Sequence, residues 1–337
     1  MSRFFTILSF CICLQGVNAQ PDTVRNLVFE GAGIRGIAYC GALMELHDMG
    51  VLQHIESVGG TSSGAITACL LSVGYTPSEI ADIIGNTNFG KFNDGGFIFF
   101  GGLYRLNRKL GYYKGNKFLH WLENLIEEKT GSKDITFNEL YLLSKDSTSY
   151  KELAVAATSL NHQRTLVFAH DTYPDMRIAD AVRASMAVPL YFEPLIIDSA
   201  GTVHSVKNMT REHDLCVDGG FTANFIISHY DSVSQEGVQY IAPTLGLRID
   251  SDTQIVNDRS DYSLAYQPIH SAKDFIVALY YITKETMNRQ LLSDTDWKRT
   301  ISISDSSLGP KVRKLSQQEQ QALLKSGRKG VQDYFHK

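Results

Sequence analysis

Two glycine-punctuated turns near the start of the chain, Gly31-Ala32-Gly33-Ile34-Arg35-Gly36 and Gly60-Thr61-Ser62-Ser63-Gly64, constrain the fold more than any other feature. Each follows a short apolar run and opens a stretch of helical pattern: residues 26–29 and 37–49 flank the first, residues 55–58 and 65–73 the second. Alternation of this kind predicts α/β architecture. The second turn has the form of a nucleophile elbow. There a serine on a strained strand-to-helix turn projects its hydroxyl, and Gly60 and Gly64 let the backbone pass without a Cβ clash. Ser62 is the candidate nucleophile, and Ser63 is expected to contribute chiefly its N–H.

The first turn supplies what such a serine needs. Attack on an ester carbonyl builds charge on its oxygen, and free N–H groups in a glycine-rich loop entering a helix stabilise that charge. Gly31, Ala32, Gly33, Ile34, Arg35 and Gly36 are the oxyanion-hole candidates, with Arg35 suited to orienting the loop or attracting an anionic substrate. A third turn, Leu215-Cys216-Val217-Asp218-Gly219-Gly220, carries a carboxylate on a short apolar strand. Its reference pKa of about 3.9 makes aspartate a weak base, but burial beside a hydroxyl raises that value. Asp218 is the candidate base. Spacing also allows a triad of Ser62, Asp218 and either His229 or His270.

In order and content, Gly-x-Gly-x-x-Gly, Gly-x-Ser-x-Gly and Asp218-Gly219-Gly220 resemble the patatin-like phospholipases. So does the block Arg183-Ala184-Ser185-Met186-Ala187-Val188-Pro189-Leu190-Tyr191-Phe192-Glu193-Pro194. The resemblance covers roughly residues 27–230. It implies a three-layer α/β/α fold with a central, mostly parallel sheet, and a Ser62–Asp218 dyad in place of a triad. It also implies a phospholipase A-type acyl hydrolase that cleaves fatty-acyl esters of phospholipids or related glycerolipids; no Cys/His spacing suggests zinc, no acidic cluster an EF-hand, and no cofactor is expected. A lipid-binding or storage protein of the same fold and a general carboxylesterase are the alternatives. Two positions depart from the commoner family pattern: Glu30 stands for aspartate and Ala32 for glycine. Alanine keeps its N–H, so the loop survives unless residue 32 needs positive φ. The first turn also fits a dinucleotide fingerprint with Glu56 at the ribose-binding distance. The elbow that directly follows Glu56 outweighs that reading.

Composition excludes little: 337 residues, 43% hydrophobic, 20% charged and a net charge of −4 describe a globular chain with no basic excess for nucleic acid. Residues 1–19 read as a signal peptide, with Arg3, an apolar run to Leu14 and Val17-Asn18-Ala19 as cleavage site, which implies a secreted or periplasmic protein. Cys40, Cys69 and Cys216 remain after its removal and read as small buried hydrophobes. Asn208-Met209-Thr210 is a glycosylation sequon. Residues 231–337 are expected as a C-terminal extension packed on the catalytic domain. In it, Ile269, Ala272, Phe275, Ile276, Leu279 and Ile282 mark an amphipathic helix and residues 315–334 a mostly solvated one. The stretch Asn93 to Tyr104, in which Phe97, Ile98, Phe99 and Phe100 are bracketed by glycine pairs, reads as a flap touching lipid or as a short buried strand.

Overall fold

The structure is a computed structural model and describes residues 21–95, 98–234, 239–260, 263–309 and 314–336. The expected leader therefore lies outside the described residues. Strand β1 (Asn26–Phe29) passes through a 3-10 turn (Gly33–Gly36) into helix α1 (Ile37–Asp48), and β2 (Ser57–Thr61) turns directly into α2 (Ser63–Ser72). Helices α3 (Pro77–Asn86) and α4 (Ile98–Lys109), the short strand β3 (Gly111–Tyr113), and helices α5 (Asn116–Thr130) and α6 (Phe137–Asp146) follow. A hairpin of β4 (Glu152–Ser159) and β5 (Arg164–Phe168) precedes α7 (Ile178–Ser185), β6 (Leu190–Phe192), β7 (Leu195–Ile197), β8 (Val203–His204) and β9 (Asp214–Asp218). The last third holds β10 (Ser232–Val233), β11 (Gln239–Tyr240), β12 (Thr244–Asp250), α8 (Asp252–Asn257), α9 (Ala272–Gln290), α10 (Asp294–Lys298), β13 (Thr300–Ser304) and α11 (Gln317–Phe335).

The central sheet is mixed and mostly parallel, in the order β13-β12-β1-β2-β4-β9-β7-β8, with β5 paired to β4. The run from β13 to β4 is parallel throughout. Successive side chains of a strand point to opposite faces, and the core divides accordingly. Leu27 and Phe29 of β1 and Leu153, Val155 and Ala157 of β4 join the large cluster beneath α1 and α2, whereas Val28, Ala154 and Ala156 face Phe225, Ile226 and Ile227. Both faces are covered, which is why β1 and β2 are buried along their whole length. Helix α2 is buried almost all round behind the elbow, as its composition predicts, and Cys40, Cys69 and Cys216 are free and buried.

Two expectations change. Residues 98–109 are helical and not a strand; α4 is fastened at its end by Arg105 Nε donating to the Tyr112 carbonyl at 2.9 Å and by Lys109 3.8 Å from Glu193. Gly96, Phe97 and the side chains of Ile98, Phe99 and Phe100, on which the flap reading rests, lie outside the described residues. The tail helix α11, expected to be mostly solvated, buries Leu323, Val331 and Tyr334. It docks on α1 so closely that a Cβ on Gly41 would lie 2.0 Å from the Leu324 carbonyl oxygen, and one on Gly327 would lie 2.0 Å from that of Ala38. Backbone cannot yield as a flexible side chain does. Gly327→Val is therefore expected to destabilise the fold by roughly 1–3 kcal/mol, the cost of overpacking. A thermal melt checks this, and an unchanged midpoint would refute the close crossing. No described helix is long and apolar enough to cross a membrane.

Candidate active site

Strand register brings the elbow and the third turn together. Thr61 of β2 lies opposite Ala156 of β4, and Asp218 of β9 lies opposite Ala157, so one strand separates the residue before Ser62 from Asp218. Ser62 has φ 54° and ψ −121°, the strained conformation expected of an elbow. The backbone folds so tightly around it that a Cβ on Gly64 would lie 2.3 Å from the Phe29 carbonyl oxygen and one on Gly60 would lie 2.5 Å from the Gly64 backbone. Ser185 holds the strained residue from outside, accepting from the Ser62 N–H at 2.9 Å and donating to the Ala156 carbonyl at 2.6 Å.

The Ser62 hydroxyl lies close enough to the Asp218 carboxylate, which is 2% exposed, to stabilise its charged form. Burial raises the Asp218 carboxyl above its ordinary value, while the Gly220 N–H at 2.7 Å, the Ser62 hydroxyl and the Lys284 charge pull it down. Gly219 allows this close packing, because a Cβ there would stand 2.6 Å from the Ala156 carbonyl oxygen. Among the described residues no hydrogen bond or ion pair joins His229 or His270 to Ser62 or Asp218. His229 stacks edge-on against Tyr230, and the backbone N–H of His270 donates to Asp274 at 3.1 Å.

The first turn is more selective than its sequence suggests. The Gly31 N–H donates to the Asn224 carbonyl at 3.2 Å and the Ala32 N–H to Ser63 Oγ at 2.9 Å, so both are already bonded. Ser63 thus contributes its hydroxyl as well as its N–H, contrary to the sequence expectation. Positive φ falls on Gly33, at 59°, and not on Ala32, at −128°, so alanine at 32 is unstrained. Gly33 and Ile34 open the 3-10 turn, where N–H groups lack an intrahelical acceptor, and both line the cavity beside Ser62. Gly36 also lines it, packed towards Ser63. Arg35 turns away: its Nε donates to the Ala32 carbonyl at 3.0 Å and Nη1 lies 3.4 Å from Asp305, both side chains being buried. It orients the loop and is not available to an anionic substrate.

Behind the loop lies a set of buried charges of which a motif marks only Glu30. Glu30 accepts from Asn224 Nδ2 at 2.8 Å and lies 3.2 Å from Arg248, whose guanidinium is fully buried between Glu30, Asp250 and Glu285. Arg289 closes the set, 3.1 Å from both Asp250 and Glu285 and paired with Asp258. Burial pushes the Glu30 carboxyl up to about 7 despite Arg248. Burial also works to raise Glu285, but the Lys284, Arg248 and Arg289 charges outweigh it and hold that carboxyl well below the usual range.

In front of Ser62 a cavity of about 190 Å³ is walled by Ile34, Ile66, Ile84, Phe89, Phe92, Met186, Val188, Tyr191 and Phe192. A hydroxyl beside a buried carboxylate and lining an apolar cavity can attack an ester whose acyl chain fills that cavity. Among the described residues no group of three or more histidines, cysteines or acids is placed to hold a metal ion.

Comparison with known proteins adds the fold's relatives and the family. Relatives include the uncharacterized protein R571 of Acanthamoeba polyphaga mimivirus, 29% identical over 80% of this chain and 78% of that one. The probable lipid hydrolase 463L of Invertebrate iridescent virus 6 is 29% identical over 62% of this chain and 63% of its own length. Among solved structures, VipD from Legionella pneumophila superposes with a TM-score of 0.56 at 17% identity, covering 93% of this chain and 67% of VipD. The ExoU of the Pseudomonas aeruginosa ExoU–SpcU complex gives 0.51 at 17% identity over 93% of this chain and about half of its own length (51%). Those two likenesses concern the fold. Residues 27–229, well over half of the chain, match the patatin-like phospholipase family, so this protein is a member of that family and a lipid acyl hydrolase.

Proposed function

We propose that the protein is a secreted phospholipase A-type enzyme that works through Ser62 and Asp218 alone. The observation that carries this reading is the Ser62 hydroxyl, on its elbow, lining an apolar cavity and facing the buried Asp218 carboxylate. Ser62 attacks the ester carbonyl and passes its proton to Asp218. The N–H groups of Gly33 and Ile34, with that of Ser63 at the start of α2, receive the oxyanion, and the α2 dipole adds to their field. As the ester C–O bond breaks, Asp218 gives that proton to the leaving lysolipid oxygen; water then attacks the acyl-enzyme with the regenerated Asp218 carboxylate as base, and the proton returns to the Ser62 oxygen as the fatty acid leaves. The acyl chain occupies the cavity, and the head group stays at its mouth, where the enzyme meets a membrane surface. Residues 1–19 direct export and are removed after Ala19; mass measurement of the exported chain tests this.

Ser62 labelling by a fluorophosphonate, together with fatty-acid release from phospholipid vesicles, tests the reaction. Labelling with release that rises when substrate aggregates is the expected result. Labelling with equal turnover of short monomeric esters would make the protein a general carboxylesterase, and absence of both would leave a lipid-binding protein.

A further inference from the structure

Lys284 reaches the first glycine turn from α9, a helix that no motif marks. Its Nζ donates to the Gly31 carbonyl at 3.0 Å and stands 3.6 Å from Glu285, with the side chain 7% exposed. The same carbonyl accepts from Asn224 Nδ2 at 3.2 Å. On the opposite edge of that peptide plane, the Ala32 N–H donates to Ser63 Oγ. Because the peptide unit is planar, its carbonyl and N–H turn together. One edge is held by Lys284 and Asn224, the other by the residue after the nucleophile, and the free N–H groups begin one residue further on, at Gly33.

A buried ammonium is costly, and an uncharged side chain would fill the same space without that cost. The charge acts on both components of the site. A cation on the carbonyl polarises the amide and strengthens the Ala32 bond to Ser63, and the same charge opposes the rise that burial imposes on Asp218. Besides Asp218, its charge acts on Glu285 and Tyr281 of its own helix and on Glu30 before the glycine turn, and Arg35, Arg248, Asp250, Arg289 and Asp305 act on those in turn. Asp218 is where its field meets the chemistry.

We propose that Lys284 is a positioning residue for ester hydrolysis: its ammonium locks the Gly31–Ala32 peptide, so that the Gly33 and Ile34 N–H groups stay aimed at the developing oxyanion beside Ser62. The assignment rests on Ser62 and Asp218 being the working pair. Lys284→Met removes donor and charge, whereas Lys284→Arg keeps both. In Lys284→Met, kcat on micellar phospholipid is expected to fall roughly 10- to 100-fold, the scale of small misplacements in an active site, with KM within about threefold. The acid limb of kcat/KM moves to higher pH, because Asp218 without the nearby cation protonates more readily. Lys284→Arg restores the limb and part of the rate. Parental kcat in Lys284→Met, or a loss with an unmoved limb, would overturn the assignment. Should Lys284→Met fail to fold, Lys284→Gln keeps a donor for Gly31 and drops the charge: a moved limb supports the role and an unmoved one refutes it. Failure of the Ser62–Asp218 reading shows separately, as absence of fluorophosphonate labelling in the parent protein.

Discussion

Replacing Ser62 by alanine is expected to abolish fatty-acid release, by about 10⁴-fold or more in kcat, because the nucleophile of a covalent mechanism has no substitute. The fold should survive. Alanine removes one oxygen, keeps the N–H that donates to Ser185 at 2.9 Å, and faces the same strain at φ 54°. Ser63→Ala is the control, and its outcome should be intermediate. The Ser63 hydroxyl accepts the Ala32 N–H, so its loss frees the glycine loop on the side that Lys284 does not hold. A loss of roughly tenfold is expected there, as for a misplaced oxyanion donor that is not deleted. Initial rates on vesicles, with fluorophosphonate labelling and thermal melts of all three proteins, check both statements. Equal losses in the two variants would shift the nucleophile assignment into doubt.

The parts of this site that were legible in the sequence are those built from contiguous backbone. Gly60-x-Ser62-x-Gly64 fails as a turn if either glycine carries a Cβ, since each would meet backbone within 2.5 Å, and such a demand writes itself into neighbouring letters. Gly219 is legible for nearly the same reason, its Cβ standing 2.6 Å from the Ala156 carbonyl oxygen, and Gly33 for another, its φ of 59°. The parallel half of the sheet follows from the alternation of short apolar runs and helices.

What supports those turns is assembled by tertiary contact and leaves no spacing to read. Glu30, Arg248, Asp250, Lys284, Glu285 and Arg289 meet only because β12 pairs with β1 and α9 crosses beside the first turn. Arg248 sits within an apolar strand and reads there as an interruption, although it is fully buried. Helix α9 shows why periodicity alone misleads. Its apolar stripe predicts the helix correctly, but Phe275, Leu279 and Ile282 are 53, 52 and 55% exposed while Lys284 and Arg289 are buried. The charged side chains point inwards because partners of opposite sign wait there, and pairing outweighs the usual preference for apolar burial. In α11 the signal was again local: Gly41 and Gly327 are small residues in helices, and nothing in either segment says that they face each other.

Asp218→Asn is expected to be nearly as damaging as loss of Ser62, with kcat down about 10²- to 10⁴-fold, the range for removal of a general base. The amide oxygen can still accept from Gly220, so the turn keeps its shape, but an amide does not take the serine proton. His229→Ala and His270→Ala should each stay within about tenfold of the parent, since neither histidine bonds Ser62 or Asp218 among the described residues. The pH profile supplies an independent check on the base. Burial raises the Asp218 carboxyl, and a base works only when deprotonated, so activity should be lost as pH falls, along a limb lying above the ordinary aspartate value of about 3.9. A histidine base would put that limb at its own titration and would vanish with the histidine. Rates of the three variants and the parent, measured across the acidic range on one micellar substrate, separate these cases. A 100-fold loss in either histidine variant would replace the pair with a triad. An Asp218→Asn protein that keeps most of its rate would remove Asp218 from the chemistry, whatever its distance from the serine.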